Sequence, residues 1–414
     1  MFRHLQDSPD VRSPARGPDR SFNVYCCARS LSELASQIGA VAVGWQVYAL
    51  TKSAFDLGLV GLAQFLPTLI LTLAAGHAAD RLDRRRLVQA CQAVKALIAT
   101  VLACGAAGGW LNVGGIFTAA AMLGAADAFE APAAAAMLSA VTSEARLQRA
   151  TALVAGTFQG AAIAGPALGG LIYGIRPGAP YAVMAALWLA TACLNGAMSL
   201  LRPSSVEAAP AVSSVLAGVA FVWRSPTILG TISLDLVAVL LGGATTLLPI
   251  FARDILHAGP FGLGLLRSAP ALGAVAMAAA LTRWPIARRT GLRMFQAVIV
   301  FGLATILFAL SHSILLSVIA LIALGAADMV SVVIRSALLQ VATPDALRGR
   351  VGAVNSLFVG GSYQLGGFES GVTAAFLGAA PAALLGGIGT VALALLWMRL
   401  FPTLRTIGRV ESAT

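Results

Sequence analysis

Four ionisable side chains, Glu33, Asp235, Arg267 and Glu369, lie inside long apolar runs. A charge in hydrocarbon is expensive, so each is a functional candidate by default. Desolvation makes a carboxyl group hold its proton, and a nearby cation makes it release it, so a buried acid beside a movable arginine can exchange protons between conformations. Asp235 lies about 12 Å into its run counted from Thr227, whereas Glu33 is only about 6 Å from Arg29. Asp235 is therefore the leading proton-coupling candidate, followed by Glu369 and Glu33. Arg267, read as the only arginine away from a helix end, is the expected cation for Asp235 or Glu369. A permanent ion pair that fixes packing is the competing reading. Lys95 is read as snorkelling or pairing locally. Gln37 follows Glu33 by four residues and shares its helix face. With Gln46, Tyr48, Asn355, Tyr363 and Gln364 it forms the set of substrate-cavity candidates. Trp45, Gln46 and Tyr48 are the expected substrate wall, although an interfacial aromatic belt explains Trp45 and Tyr48 equally well.

Other chemistries lack their parts. The five cysteines are scattered through apolar segments without metal-ligand spacing to any histidine, so no metal is expected. No Ser/His pair or acid dyad occurs in the apolar runs, and no G-x-x-x-x-G-K-[ST] loop could cradle a nucleotide. Neither enzyme activity nor a cofactor is expected.

The elements that must position these groups follow from composition. Of 414 residues, 58% are hydrophobic and 11% charged, against about 25% charged in soluble domains. Twelve apolar segments, each near the roughly 20 residues needed to cross a bilayer, fall between positions 29 and 400. The expectation is an all-α membrane protein of twelve transmembrane helices. The net charge of +11 sits in short loops rather than on one patch, which argues against nucleic acid. Arg81, Arg84, Arg85, Arg86, Arg146, Arg149, Arg283, Arg288, Arg289 and Arg293 fall on alternate loops. The positive-inside rule then puts both termini in the cytoplasm of a cell with an inner membrane. The expected organisation is a disordered N-terminus (1–22), a six-helix bundle (23–201), a cytoplasmic linker (202–226), a second six-helix bundle (227–401) and a cytoplasmic tail (402–414).

The two halves repeat. Leu123, Gly124, Ala125, Ala126 and Asp127 recur 201 residues later as Leu324, Gly325, Ala326, Ala327 and Asp328. At the same offset Gly160, Gly165 and Gly170 meet Gly361, Gly366 and Gly371. Six spans followed by six related spans run parallel, which is a transporter architecture with a site between the repeats at mid-membrane.

The loop from Gly76 through Asp80, Arg81, Asp83, Arg84, Arg85 and Arg86 resembles the G-x-L-a-D-r-x-G-r-k signature of the major facilitator superfamily, with Asp83 in place of the second glycine. Gly165, Pro166, Gly169 and Gly170 look like the G-P-x-x-G-G motif of its drug and proton antiporter branch. Leu347 to Arg350, Asn355 to Phe358, Phe368 to Gly371 and the closing Leu400, Phe401 and Pro402 are similar to the branch that holds bacterial enterobactin exporters. The resemblance implies two pseudo-twofold-related bundles, a central cavity lined by spans 1 and 7, and efflux. It departs at span 4, where Asp127, Glu130 and Pro132 stand in place of an R-x-x-q-G motif, and at Tyr363 and Gln364 in span 11.

From the residues, Gly76, Asp80, Arg81 and Arg84 form a candidate conformational latch, with Asp127 as partner for Arg84 or Arg81 and Asp328 as partner for Arg288 or Arg335. Arginines that merely obey topology are the alternative. The glycines and Pro166 of the span 5 motif permit tight helix contact between the halves and bind nothing themselves. The functional expectation is proton-coupled export of a small amphiphile, siderophore-like or drug-like, by a monomer whose partners are substrate, protons and lipid. A proton-linked importer and a non-transporting scaffold or receptor are the alternatives.

Overall fold

Backbone in lipid must satisfy its own polar groups, and the long apolar runs of this chain do so as helices. The computed structural model describes residues 17–142, 147–198, 219–286, 289–344 and 347–406. Its long helices are α1 (Gly17–Thr51), α2 (Ala54–Arg81), α3 (Arg84–Gly108), α4 (Val113–Val141), α5 (Leu147–Ile175), α6 (Ala179–Gly196), α7 (Pro226–Leu241), α8 (Gly259–Arg283), α9 (Thr290–Leu310), α10 (Ile314–Ala342), α11 (Arg348–Leu377) and α12 (Ala379–Leu400). Ten of these spans are long and apolar enough to cross a membrane by length and composition alone. The other two, α1 and α11, are long enough but more polar, carrying Arg29 and Glu33 or Asn355, Gln364 and Glu369.

Local chemistry sets the helix ends. Asp83, the departure from the signature glycine, caps α3 by accepting from the backbone N–H of Arg85 and Arg86 at 2.9 and 3.3 Å. Asn112 caps α4 in the same way through the Gly115 N–H. The seventh span is the irregular one. Beyond Gly242 it continues as a 3₁₀ turn (Gly243–Leu247), a single α turn (Leu248–Ile250) and a π turn (Phe251–Ile255). Pro249 removes a backbone donor there, which loosens the regular ladder.

Three expected boundaries change. Helix α1 begins at Gly17, so 17–22 is not disordered: Phe22 and Tyr25 pack with Ala79, Val88 and Met137, which holds the first turns in place. Residues 219–224 of the expected linker are helical, with Val222 buried against Ile228 and Val351. The tail opens with a short helix (Pro402–Thr406) whose Leu404 is buried beside Met294 and Phe295. Residues 202–218 of the linker and the remainder of both termini, together with Arg146 and Arg288, lie outside the described residues.

Within the first half α1 packs on α5 and α6, α2 on α4, and α3 on α4 and α6. The second half packs α8 and α9 on α10, α9 on α12, and α7 on α11 and α12. Between halves, α5 lies against α8 and α2 against α11. Each contact pairs the fifth helix of one half with the second of the other, as a pseudo-twofold requires. The recurrent glycines explain the close crossings. A Cβ at Gly124 would overlap the Gln64 carbonyl of α2, and one at Gly325 would overlap the Pro270 carbonyl of α8.

Candidate functional site

The even span count puts both chain ends on one end of the bundle, here called the terminal end. Contacts joining the halves run from mid-bundle to the opposite end. There Tyr48 donates to Asp254, the Arg253 guanidinium lies 6.0 Å from the ring centres of both Trp45 and Tyr48, and Phe55 meets Phe368 at 6.1 Å. Gly170 abuts Gly264 and the Pro260 carbonyl, while Gly371 abuts Gly58 and the Ala54 carbonyl. Nearer the middle, Ser268 Oγ donates to the Ile163 carbonyl at 2.7 Å and Gln159 to the Ala271 carbonyl at 3.4 Å. Towards the terminal end, Gly76, Gly156, Gly352 and Gly360 face open space among the described residues. Among the described residues, the contacts between the halves thus lie from mid-bundle to the opposite end.

Between them lies a cavity of about 320 Å³, walled by both halves. Gln37, Gln64, Lys95, Asp127 and Trp188 line it from the first half, and Arg267, Thr246 and Gln364 from the second. Asp127 is fourteen residues from each end of α4 (113–141), hence at mid-bundle. Lys95 is buried and forms ion pairs with Asp127 and with Glu130, the latter at 2.5 Å. Its ammonium also lies 5.8 Å from the Trp188 ring centre. Glu130 accepts further bonds from Gln92 at 2.6 Å and Arg29 at 3.3 Å. Gln92 in turn donates to Ser32 and accepts from Thr191 at 2.6 Å. Gln64 donates to the second Asp127 oxygen at 3.3 Å. Glu33 accepts from Gln37 at 2.8 Å and interacts electrostatically with Arg29, Lys95 and Asp127. Glu130 is only 3% exposed, whereas the Asp127 side chain is 41% exposed and forms part of the cavity wall. One edge of a buried charge network thus meets the cavity.

The second half holds a related group with a different cation. Asp235 and Arg335 form an ion pair, both sealed from solvent. Asp328 joins Asp235 and Ser331 around a void of only about 10 Å³, and Tyr363 interacts electrostatically with Asp328 and Arg335.

Several expectations are corrected by these positions. Asp235 takes Arg335, not Arg267, and Arg335 itself lies seven residues inside its helix from Ala342, so Arg267 is not the only arginine away from a helix end. Glu369 bonds Thr373 of its own helix at 2.9 Å, and no ion pair joins it to Arg267 among the described residues. Of the two readings of Lys95, pairing holds and snorkelling does not: the nearer end of α3 is eleven residues away (84 to 95), about 16 Å of helix and beyond its stem. Asp127 partners Lys95 and Gln64 rather than Arg81 or Arg84, since it sits about 21 Å up its helix from the terminal end. Arg84 reaches the Ala79 carbonyl at 3.4 Å, Arg81 is exposed, and Gly76 has room around it rather than a close helix contact. The Asp80 side chain lies outside the described ones. Asp328 does not take Arg335, which is held by Asp235.

The expected substrate wall is also relocated. Gln46 accepts from Tyr173, Tyr48 donates to Asp254, and Trp45 packs edge-on to Tyr173 at 6.4 Å. All three serve the closed opposite end and none lines the cavity. Gln37 and Gln364 do line it, whereas Asn355 and Tyr363 do not. In the span 5 motif, Gly165 and Gly169 seat Gln37 and Ile38 of α1, and Gly170 meets α8. Pro166 lies within α5, its carbonyl beside Gly264.

A bundle of twelve long helices in two related halves, with a cavity walled by both, defines a secondary transporter of the major facilitator class. The fold agrees with solved structures: a variant of the nucleoside transporter NupG has a TM-score of 0.75 at 14% identity, covering 92% of this chain and 100% of that one. A bacterial homologue of the lysosomal transporter Spinster, in an inward-facing and unoccupied conformation, has a TM-score of 0.72 at 11% identity, covering 97% and 98%. The chain belongs to the transmembrane secretion effector family of this superfamily, whose model matches residues 14–412. It is a multi-pass membrane transporter of a small molecule and not an enzyme. Similar curated proteins include the multidrug efflux pump Tap of Mycolicibacterium fortuitum, 29% identical over 77% of this chain and 81% of that one. The enterobactin exporter EntS of Citrobacter koseri is 28% identical over 90% and 86%.

Proposed function

We propose that the chain exports a small amphiphilic molecule, drug-like or siderophore-like, by alternating access driven by protons, with both termini in the cytoplasm. The observation that carries this reading is Lys95, a buried ammonium shared by Asp127 and Glu130 at mid-bundle, with Asp127 on the cavity wall. Two carboxylates compete for one cation. When the ammonium turns fully to Glu130, Asp127 loses its cation partner while facing the cavity, which makes it the carboxylate placed to exchange a proton with cavity water. The names of Tap and EntS support export as the direction. Basic loops at the terminal end support a cytoplasm-facing opening. In this reading the loop with Gly76, Asp80, Arg81 and Arg84 latches the terminal end in the opposite state. Asp235, sealed behind Arg335, holds packing rather than carrying protons.

The test is efflux from cells of a dye panel with and without an uncoupler, repeated with Asp127→Asn, and counterflow in proteoliposomes without a gradient. Uncoupler-sensitive export should fall at least about tenfold in Asp127→Asn, a loss of 1.4 kcal/mol or more, while counterflow persists. Gradient-driven export that survives Asp127→Asn overturns the assignment.

A further inference from the structure

Two cations line the cavity, and only one has an acid partner. Lys95 is held by two carboxylates. Arg267 has no ion pair among the described residues, and its recorded hydrogen bond is a long one, 3.5 Å, from one terminal nitrogen to the Ala40 carbonyl. A guanidinium carries five donors in a rigid fork, so most of this group's capacity is unspent. It sits eight residues, about 12 Å, inside α8 from Gly259, half-buried on the cavity wall. Leaving a charge without a partner there carries a desolvation cost. Packing does not require that cost, because Gly264, Ser268 and Gly273 already make the tight contacts of α8.

Resting on the transport reading above, we infer that Arg267 is the docking point for an anionic oxygen group, so that the transported molecule is an organic anion. The fork suits a carboxylate or another group with paired anionic oxygens. The geometry gives that molecule a direction. Asp127 on the first-half wall repels the anion, which leaves Arg267 on the second-half wall as its seat. The side-chain amides of Gln37 and Gln364, on the same cavity lining, supply neutral donors. The apolar body then lies along Val43, Leu57, Ile116 and Met184. An anion bridging Arg267 to the first-half wall ties the two halves together at their centre, where a transporter must sense its cargo.

The experiment is thermal unfolding of the full-length protein in detergent with matched aromatic amphiphiles, such as 2-naphthoate and its methyl ester, and with sodium sulfate. Acids should raise the unfolding temperature in a saturable way, with affinity at least about tenfold above their esters. Arg267→Gln should erase that preference while leaving weak ester binding. Arg267→Lys keeps the charge but not the fork, and should lie several-fold below the wild type. If Arg267→Gln does not purify as a monodisperse protein, the Arg267→Lys series and acid-against-ester competition on the wild type decide the matter. The inference is overturned if acids and esters bind alike, if no acid binds, if the preference survives in Arg267→Gln, or if sulfate alone matches the acids. Binding here needs no gradient. Anion preference with no proton-driven export would sink the coupling role of Asp127 and leave Arg267 standing; export without anion preference would do the reverse.

Discussion

Lys95 and Arg335 are the cations by which two related halves have come to differ. Glu33 and Asp235 occupy matching places in the repeat, as do Asp127 and Asp328. Each half therefore sets an acid of its first helix near an acid of its fourth. In the first half the cation comes from α3 and is shared, with one carboxylate open to the cavity. In the second it comes from α10 and is spent on a closed pair. Breaking such a pair strands a buried charge. Arg335→Met should thus cost about 3 to 5 kcal/mol in reversible unfolding, whereas Arg335→Met with Asp235→Leu should recover most of it. An unperturbed Arg335→Met would show that Asp235 already shares its charge with water. The acids were legible in the sequence because a charge inside an apolar run stands out. Their partners were not, because the pairing residues lie 32 and 100 positions away (95 to 127, 235 to 335) and only helix packing brings them together. Depth was readable by counting 1.5 Å per residue, and applying that count to Lys95 would have excluded snorkelling.

At the scale of elements, the number of helices, their order and the repeat follow from hydropathy and from glycine spacing, but azimuth does not. Consecutive helical residues turn by about 100°, so Trp45, Gln46 and Tyr48 spread over about 160° of the helix and the sequence cannot say which one faces a cavity. Nor does it show that the seventh span unwinds after Gly242, the break that carries Thr245 and Thr246 to the cavity wall and Asp254 to Tyr48. The glycines separate by role once the packing is known. Gly124 and Gly325 cross neighbours within one half, so Gly124→Ala should lower folded yield in every conformation. Gly170 touches the other half only where the opposite end is shut. Gly170→Ala should therefore leave folded yield near that of the wild type and favour the state in which α5 and α8 separate, read as increased labelling of a cysteine placed at Leu263, which is fully buried here. Gly76→Ala meets open space in this state and should leave folded yield unchanged. Equal effects at positions 124 and 170 would remove the distinction.

For the whole molecule the question is what keeps the opposite end closed while the terminal end stands open. The polar contribution is concentrated in one place. Tyr48 of the first span donates to Asp254 at the end of the seventh, and Arg253 lies over the rings of Trp45 and Tyr48 from the same π turn. Asp254 is itself exposed, so its bond to Tyr48 contributes about 1 kcal/mol, and losing it as that end opens acts directly on the ratio of the two states. Tyr48→Phe keeps the ring and removes the bond. It should shift the balance of the two states several-fold. Spin labels at Lys52→Cys and His257→Cys report the opposite end, and labels at Leu82→Cys and Trp284→Cys report the terminal end; all four native residues are exposed. In a background without the five native cysteines, Tyr48→Phe should add a longer distance to the first pair and a shorter one to the second. Both changes must come together, because two halves that rock about a central site cannot open at one end without closing at the other. A longer distance at the opposite end with no change at the terminal end would mean local fraying, and would remove Tyr48 from the gate.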